Sequence, residues 1–313
     1  MRSVTFFDGE GLREGTVVAR DRAPQLFDRP APAGTARLDG VVTGLFTDHH
    51  VHLQLVDHAL LAASRLGRVV DLGADPNWIS DVPGPVVVGY AGPFLTAPGG
   101  YPSDRAWAPP GSVREIPDAE HAARAVDELA AFGVSFIKVV AHGEAGPVLD
   151  DDAFRAVVRQ AAVHRIPVVA HAEGRGQAQR AVRLGATRLA HAPFSEPLSD
   201  AEIAAQAASA SWISTMAVHD GAARSIAVDN VRRFAAAGGE ILYGTDMGNG
   251  PTPVDLREAE VDALRAAGID GVDLLASLSP ADPLDGGPLL LLPHGDPNRA
   301  RRLTLADIDI TEP

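Results

Sequence analysis

The sequence predicts an α/β fold: a (β/α)8 TIM barrel with a small flanking β-domain formed by the two chain ends. Three observations predict it. Eight short apolar or β-branched runs alternate with loops and stretches of helical periodicity, as a parallel sheet requires. Chemically suggestive residues follow many of these runs rather than one switch point. No Gly-x-Gly-x-x-Gly follows the first run, which argues against an open doubly wound sheet.

Taken in order, residues 1–40 are rich in Pro, Gly and Asp and carry strand-like pieces at 3–6 and 16–19. The barrel strands fall at 41–46, 68–72, 86–90, 135–140, 167–171, 188–191, 212–216 and 241–244. Between them the clearest helix covers 118–132. Asp118 suits its N-cap, Val126, Leu129 and Ala130 share a face, and Gly133 ends it. Residues 151–164 and 222–237 read similarly, and 256–267 follow the last strand. Apolar pieces at 288–292 and 302–305 join the N-terminal strands in the flanking unit. The expected domains are therefore 1–40 plus 285–313, β-sandwich-like, and 41–284, the catalytic barrel.

With 313 residues, 46% hydrophobic and 22% charged, the composition is that of an ordinary globular protein. A net charge of −14 argues against nucleic acid or an anionic membrane as partner, since both need a basic face. The partner expected instead is a small-molecule substrate, with homo-oligomerisation expected only from base rates. There are no cysteines, so disulfides, thiolate ligands and a Cys nucleophile are excluded. The first residues lack an apolar run of signal-peptide length, and no run reaches the roughly 18 residues of a membrane span, so the expected location is the cytoplasm. A transition-metal site would have to use His, Asp, Glu or Lys, and eleven histidines are present.

The strongest chemical signal is Asp48-His49-His50-Val51-His52. Two residues separated by one in an extended segment face the same side, so His50 and His52 can reach one ion. The alternative is a polar loop with incidental histidines. Lys138 is flanked by apolar strand residues in Phe-Ile-Lys-Val-Val. Burial disfavours its ammonium, lowers its pKa and leaves an amine able to take up carbon dioxide as a metal-bridging carbamate. A salt bridge to a barrel carboxylate and a Schiff base remain open for it. His171 and His191 close apolar runs at the same place in consecutive units. Asp246 sits in Gly-Thr-Asp-Met-Gly, where it suits a metal ligand and proton shuttle, or an Asx turn. All five positions fall at the face where barrel enzymes place catalysis.

This order of residues resembles the amidohydrolase superfamily, and within it the imidazolonepropionase-like and prolidase-like group. The segments GLFTDHHVHL, VVDLGAD, FGVSFIKVVAHG, PVVAHAEG, LGATRLAHAPF and YGTDMGNG carry the likeness, which runs from about residue 38 to 297. The resemblance implies two divalent ions, with zinc expected. His50, His52 and Asp246 would hold the first, His171 and His191 the second, and carboxylated Lys138 (from CO2) would bridge them. It further implies a metal-bridging hydroxide as nucleophile, with Asp246 passing a proton to the leaving group. The expected activity is hydrolysis of an amide-type bond in a dipeptide, N-acyl amino acid or cyclic amide, with a lactone or ester also within reach.

The chain departs from the group's pattern where Tyr101 replaces a His, where His142-Gly143-Glu144 replaces Thr-Gly-Gly, and at Ser277-Leu278-Ser279-Pro280. None of these positions is a ligand, so they bear on substrate. Tyr101, His142, His219 and Asn249 are the expected substrate contacts at the mouth. His49 faces away from its neighbours, and His58, His121, His164 and His294 read as surface or packing residues. Glu173, two residues past His171, motivates a rival reading: a mononuclear deaminase or cyclohydrolase acting on a heterocycle. Lys138 favours the two-metal reading, because the related deaminases lack a Lys there. A non-catalytic binding protein is disfavoured, since no ligand position is missing.

Overall fold

The computed structural model describes residues 1–308 apart from Pro83 and Pro85; residues 309–313 of the expected flanking unit lie outside the described residues. Strands β1 (Arg2–Phe7), β2 (Leu12–Arg20), β3 (Ala23–Phe27) and β4 (Arg37–Gly44) open the chain. β1 pairs antiparallel with β2 and parallel with β4, and β2 pairs antiparallel with β3.

The next strands run parallel. β5 (Phe46–Val51), β6 (Leu66–Asp71) and, after the short helix α1 (Pro76–Ile79), β7 (Val87–Tyr90) form a three-stranded sheet. The chain breaks at Gly92, φ +70°, and resumes as β8 (Phe94–Thr96), followed by β9 (Val113–Glu115). Helix α2 (Ala119–Ala131) leads to β10 (Ile137–His142), α3 (Asp151–Val163) to β11 (Val168–Glu173), and α4 (Gln177–Arg183) to β12 (Arg188–Leu189). Helix α5 (Asp200–Ala207) precedes β13 (Ser211–Ile213), and α6 (Gly221–Ala236) precedes β14 (Ile241–Leu242). These strands form a seven-stranded parallel sheet in the order β14-β13-β12-β11-β10-β8-β9.

Helices α7 (Glu258–Ala266) and α8 (Gly271–Ser277) follow, then β15 (Leu289–Leu292), β16 (Arg301–Arg302) and α9 (Leu305–Ile308). β15 returns antiparallel to β4, from Leu289↔Gly44 to Leu292↔Val41, completing a six-stranded sheet from both chain ends.

The caps explain several helix starts. The Asp118 carboxylate accepts from His121 N–H and the Asp150 carboxylate from Ala153 N–H, each satisfying a helix-start donor. Ser199 and Glu202 form a reciprocal capping box at α5. Helix α6 is pinned to β13 by Phe234 stacking on Trp212, centroids 3.8 Å apart.

Three apolar clusters organise the interior. The largest lies between strands and helices and includes Leu129, Phe154 and Phe234. Val4, Phe6, Val42 and Leu291 belong to a separate core of the six-stranded sheet. A third gathers Val70, Leu72, Ala91, Val169, Ala190, Ile213 and Leu242 from both parallel sheets.

The fold is thus α/β with parallel strands, as expected, but the ladders form two open sheets rather than one closed ring. Local contacts join the two sheets: His49 N–H donates to Tyr243 O (3.0 Å) and Val51 bridges Met247 beside β14, and Ser135 N–H, just before β10, donates to Tyr90 O (2.8 Å) at the end of β7. The expected strand over 41–46 is divided. Residues 41–44 end β4, and the chain turns at Gly44-Leu45, where Ala281 N–H donates to Leu45 O (2.9 Å). A Cβ on Gly44 would collide with the Ala281 carbonyl. His50 consequently lies within β5, and His52 follows directly on its last residue, Val51.

Candidate metal centre

β5 and the residue that follows it place His50 and His52 on one side and His49 on the other, in keeping with extended-chain alternation. The His49 imidazole meets Ser279 Oγ at 3.2 Å. His50 Nε2 and His52 Nε2 are 3.3 Å apart, and lie 3.2 and 3.1 Å from Asp246 Oδ1. Asp246 follows β14 with φ +53°, a left-handed conformation that turns its carboxylate toward the histidines. Asn249 Nδ2 donates to Asp246 Oδ2 at 2.8 Å, leaving Oδ1 to face the imidazoles.

The β5 segment is held by a buried carboxylate. Asp48 Oδ1 accepts from His50 N–H (3.0 Å) and Thr245 N–H (3.1 Å), and Oδ2 accepts from the Thr245 hydroxyl (2.5 Å). Burial pushes the Asp48 carboxyl up to about 7. Asp71 similarly accepts from Leu53 N–H (2.7 Å) and Gly73 N–H (2.9 Å), fixing the chain just beyond His52.

His191, after β12, has its ring 4.8 Å from those of both His50 and His171. His50, His191 and Asp246 form a buried group with ligand atoms all within 4.8 Å of one another. His50 Nδ1 lies 2.8 Å from Ala190 O, and His191 Nδ1 lies 2.9 Å from the Thr215 hydroxyl. With Nδ1 so engaged, Nε2 is the nitrogen left to coordinate. Burial, aided by Lys138, holds His50 well below the usual imidazole range, and burial does the same for His191, so both are neutral. Burial alone would raise the Asp246 carboxyl, but His50, His52 and His191 hold it well below the usual range.

Lys138 in β10 is 1% exposed. Burial lowers its ammonium to about 7, opposed by Asp246 and Asp71. His171 in β11 has Nε2 3.2 Å from Glu173 Oε2, and His142 Nε2 lies 3.2 Å from the same oxygen. In this arrangement His171 faces Glu173 rather than the His50–His52–Asp246 group.

These residues line a cavity of about 470 Å³, within the range of small-molecule sites. Of the expected substrate contacts, Tyr101, His219 and Asn249 line it. His142 does not, and packs its ring 5.0 Å from that of Tyr101. Sequence reasoning missed the aromatic walls, Phe94, Trp107 and Phe194, which carry no spacing signal. It also missed the positioning carboxylates Asp48, Asp71 and Glu260. The last accepts from Met216 N–H (3.0 Å) and Ala217 N–H (2.6 Å) beneath the His219 loop. Acids inside apolar runs, as in Val-Val-Asp-Leu, were the available clue. No helix among the described residues is long and apolar enough to cross a membrane.

Neither a protein-family profile nor a curated protein sequence matches the chain. Solved structures do match it in fold. A Xaa-Pro dipeptidase with methionine in its active site superposes with TM-score 0.68 at 16% identity, covering 94% of this chain and 93% of that one. The A. niger ochratoxinase gives 0.70 at 16%, covering 93% and 90%. A prolidase complexed with N-methylphosphonate-L-proline gives 0.66 at 20%, covering 95% and 92%. The chain therefore shares its fold with amidohydrolases and prolidases over nearly its whole length.

Proposed function

We propose that this chain is a metal-dependent amidohydrolase of the prolidase-like group, hydrolysing an amide-type carbon–nitrogen bond in a small molecule with two divalent cations, zinc expected. One observation carries the reading: His50 and His52 direct Nε2 at a single Asp246 oxygen, 3.2 and 3.1 Å away, beside a buried Lys138. We read β5, β6, β7 with its continuation β8, and β10 to β14 as the eight positions of one (β/α)8 barrel. The edge contacts and the interior cluster shared by both sheets support this. Residues 41–284 would form that catalytic unit, flanked by 1–40 plus 285–313.

The donor set fits divalent metal: His50 and His191 are neutral imidazoles with engaged Nδ1 atoms, Asp246 is an ionised carboxylate, and Lys138 is the only lysine or arginine lining the cavity among the described residues. His50, His52 and Asp246 would hold one ion and His171 and His191 a second. Lys138, half neutral near pH 7, is suited to react with carbon dioxide, and the resulting carbamate would bridge the two. Ions bound there lower the pKa of water toward neutrality and polarise the scissile carbonyl. Asp246 would take a proton and deliver it to the departing amine, with its Oδ2 held by Asn249.

A second reading is favoured by the compact His50–His191–Asp246 group and by Glu173 at the cavity wall: a mononuclear deaminase or cyclohydrolase. Metal analysis with mass spectrometry separates the two. Two ions per chain and a Lys138 mass increase matching carbon dioxide are expected; one ion and an unmodified lysine would reject the binuclear reading.

A further inference from the structure

The cavity's charged lining is acidic apart from one lysine. Glu173 and Asp246 contribute carboxylates, and Lys138 at the base is the only lysine or arginine that lines it among the described residues. The arginines nearby are committed elsewhere. Arg105 lies over the Tyr101 ring, 5.5 Å from its centroid, and pairs with Asp104 at 3.3 Å. Arg257 donates to Ala217 O (2.9 Å) and Thr245 O (3.5 Å), both main-chain acceptors. The remaining wall is largely apolar or aromatic. Phe94, Tyr101 and Trp107 form one ring cluster, with centroids 6.2 Å (Phe94–Trp107) and 6.0 Å (Tyr101–Trp107) apart. Phe194 packs on His219 at 3.9 Å across from His191.

A carboxylate entering this space would give up hydration without meeting a cationic partner, and would approach Glu173. A flat apolar group would meet ring faces and edges on two sides. Cations at the base are already engaged in the hydrolytic chemistry, which leaves nothing at the walls to hold a second anionic group.

We propose that this site selects amides that lack a free carboxylate near the scissile bond and that carry a flat apolar or aromatic group, neutral or cationic substrates being preferred over free N-acyl amino acids and dipeptides. This inference rests on the hydrolase reading and narrows its substrates.

The test compares matched substrates on the zinc-loaded protein: N-benzoylalanine against N-benzoylalaninamide, read as benzoate release. The amide is expected to show a kcat/KM at least about tenfold higher. Trp107→Arg places a cation at a partly exposed rim position and is expected to shrink that ratio by raising activity on the carboxylate. Equal or faster cleavage of N-benzoylalanine by the unaltered protein would overturn the inference and leave the hydrolase reading standing. A ratio unmoved by the added arginine would do the same. Release of benzoate from neither substrate, nor any product across a wider amide panel, would overturn both.

Discussion

Lys138 concentrates the chemistry of the site in one side chain. Buried among Phe94, His50 and Asp246, it holds its ammonium near pH 7 only because two carboxylates oppose desolvation. Lys138→Ala is expected to lower kcat by about a hundredfold or more, the scale of removing a preorganised charge from an active site. Acetate or propionate in the assay should restore part of the rate; full activity in the variant would reject a bridging role. The same residue sets a pH dependence. Its pKa falls from 10.5 in the unfolded chain to about 7 when folded, so the unfolded state binds more protons between those values. Stability contributed by the neutral amine is therefore present above about pH 10.5 and lost as pH falls toward 7. The metal-free, CO2-free protein should gain up to about 1.4 kcal/mol per pH unit across that window. Lys138→Met should abolish the gain in urea titrations.

Among the elements, β5 and the segment after β14 carry the centre together. Glycines make the approach possible: a Cβ on Gly244 would strike an Ile213 methyl and come within 3.2 Å of the His50 Cβ. Gly244→Ala is expected to cost about 1–3 kcal/mol through overpacking and to lower bound metal, measured by thermal melting and elemental analysis. The alternation around His50 was legible from sequence, as were the helix starts after Asp118 and at Asp151; Lys138 and His171 were expected at strand ends but lie inside β10 and β11, which run on past them, and only His191 falls just beyond its strand. The split between β4 and β5 was not legible, because an unbroken apolar run conceals a turn that depends on Ala281, far along the chain. The helices α4, α5 and α8 were not legible because each is only seven or eight residues long, too short for a clear helical period, although Ser199 and Glu202 signalled a cap. Trp107 and Phe194 stayed hidden because they come from loops whose paths are set by tertiary packing, and Phe94 because it opens the short strand β8 beyond the break at Gly92.

At the scale of the whole molecule, a bound ion should stabilise the fold by mass action. At a thousandfold excess over Kd the gain is about 4 kcal/mol per independent site. Titrating zinc into metal-free protein should raise Tm, and His50→Ala should remove most of the rise; an unchanged Tm in the unaltered protein would argue against a tight site.

The joint between the two parallel sheets gives this a further meaning. Where β5 meets the chain beyond β14, His49 donates to Tyr243, Val51 bridges Met247, and Asp48 grips Thr245. The imidazoles lie on one border and the Asp246 carboxylate on the other, nearly two hundred residues apart in sequence. A cation seated there would act as a clasp across the edges of the two sheets, and parting them is then expected to release the ion in the same event. Amide exchange at His49 and Met247 is where that fastening would register first.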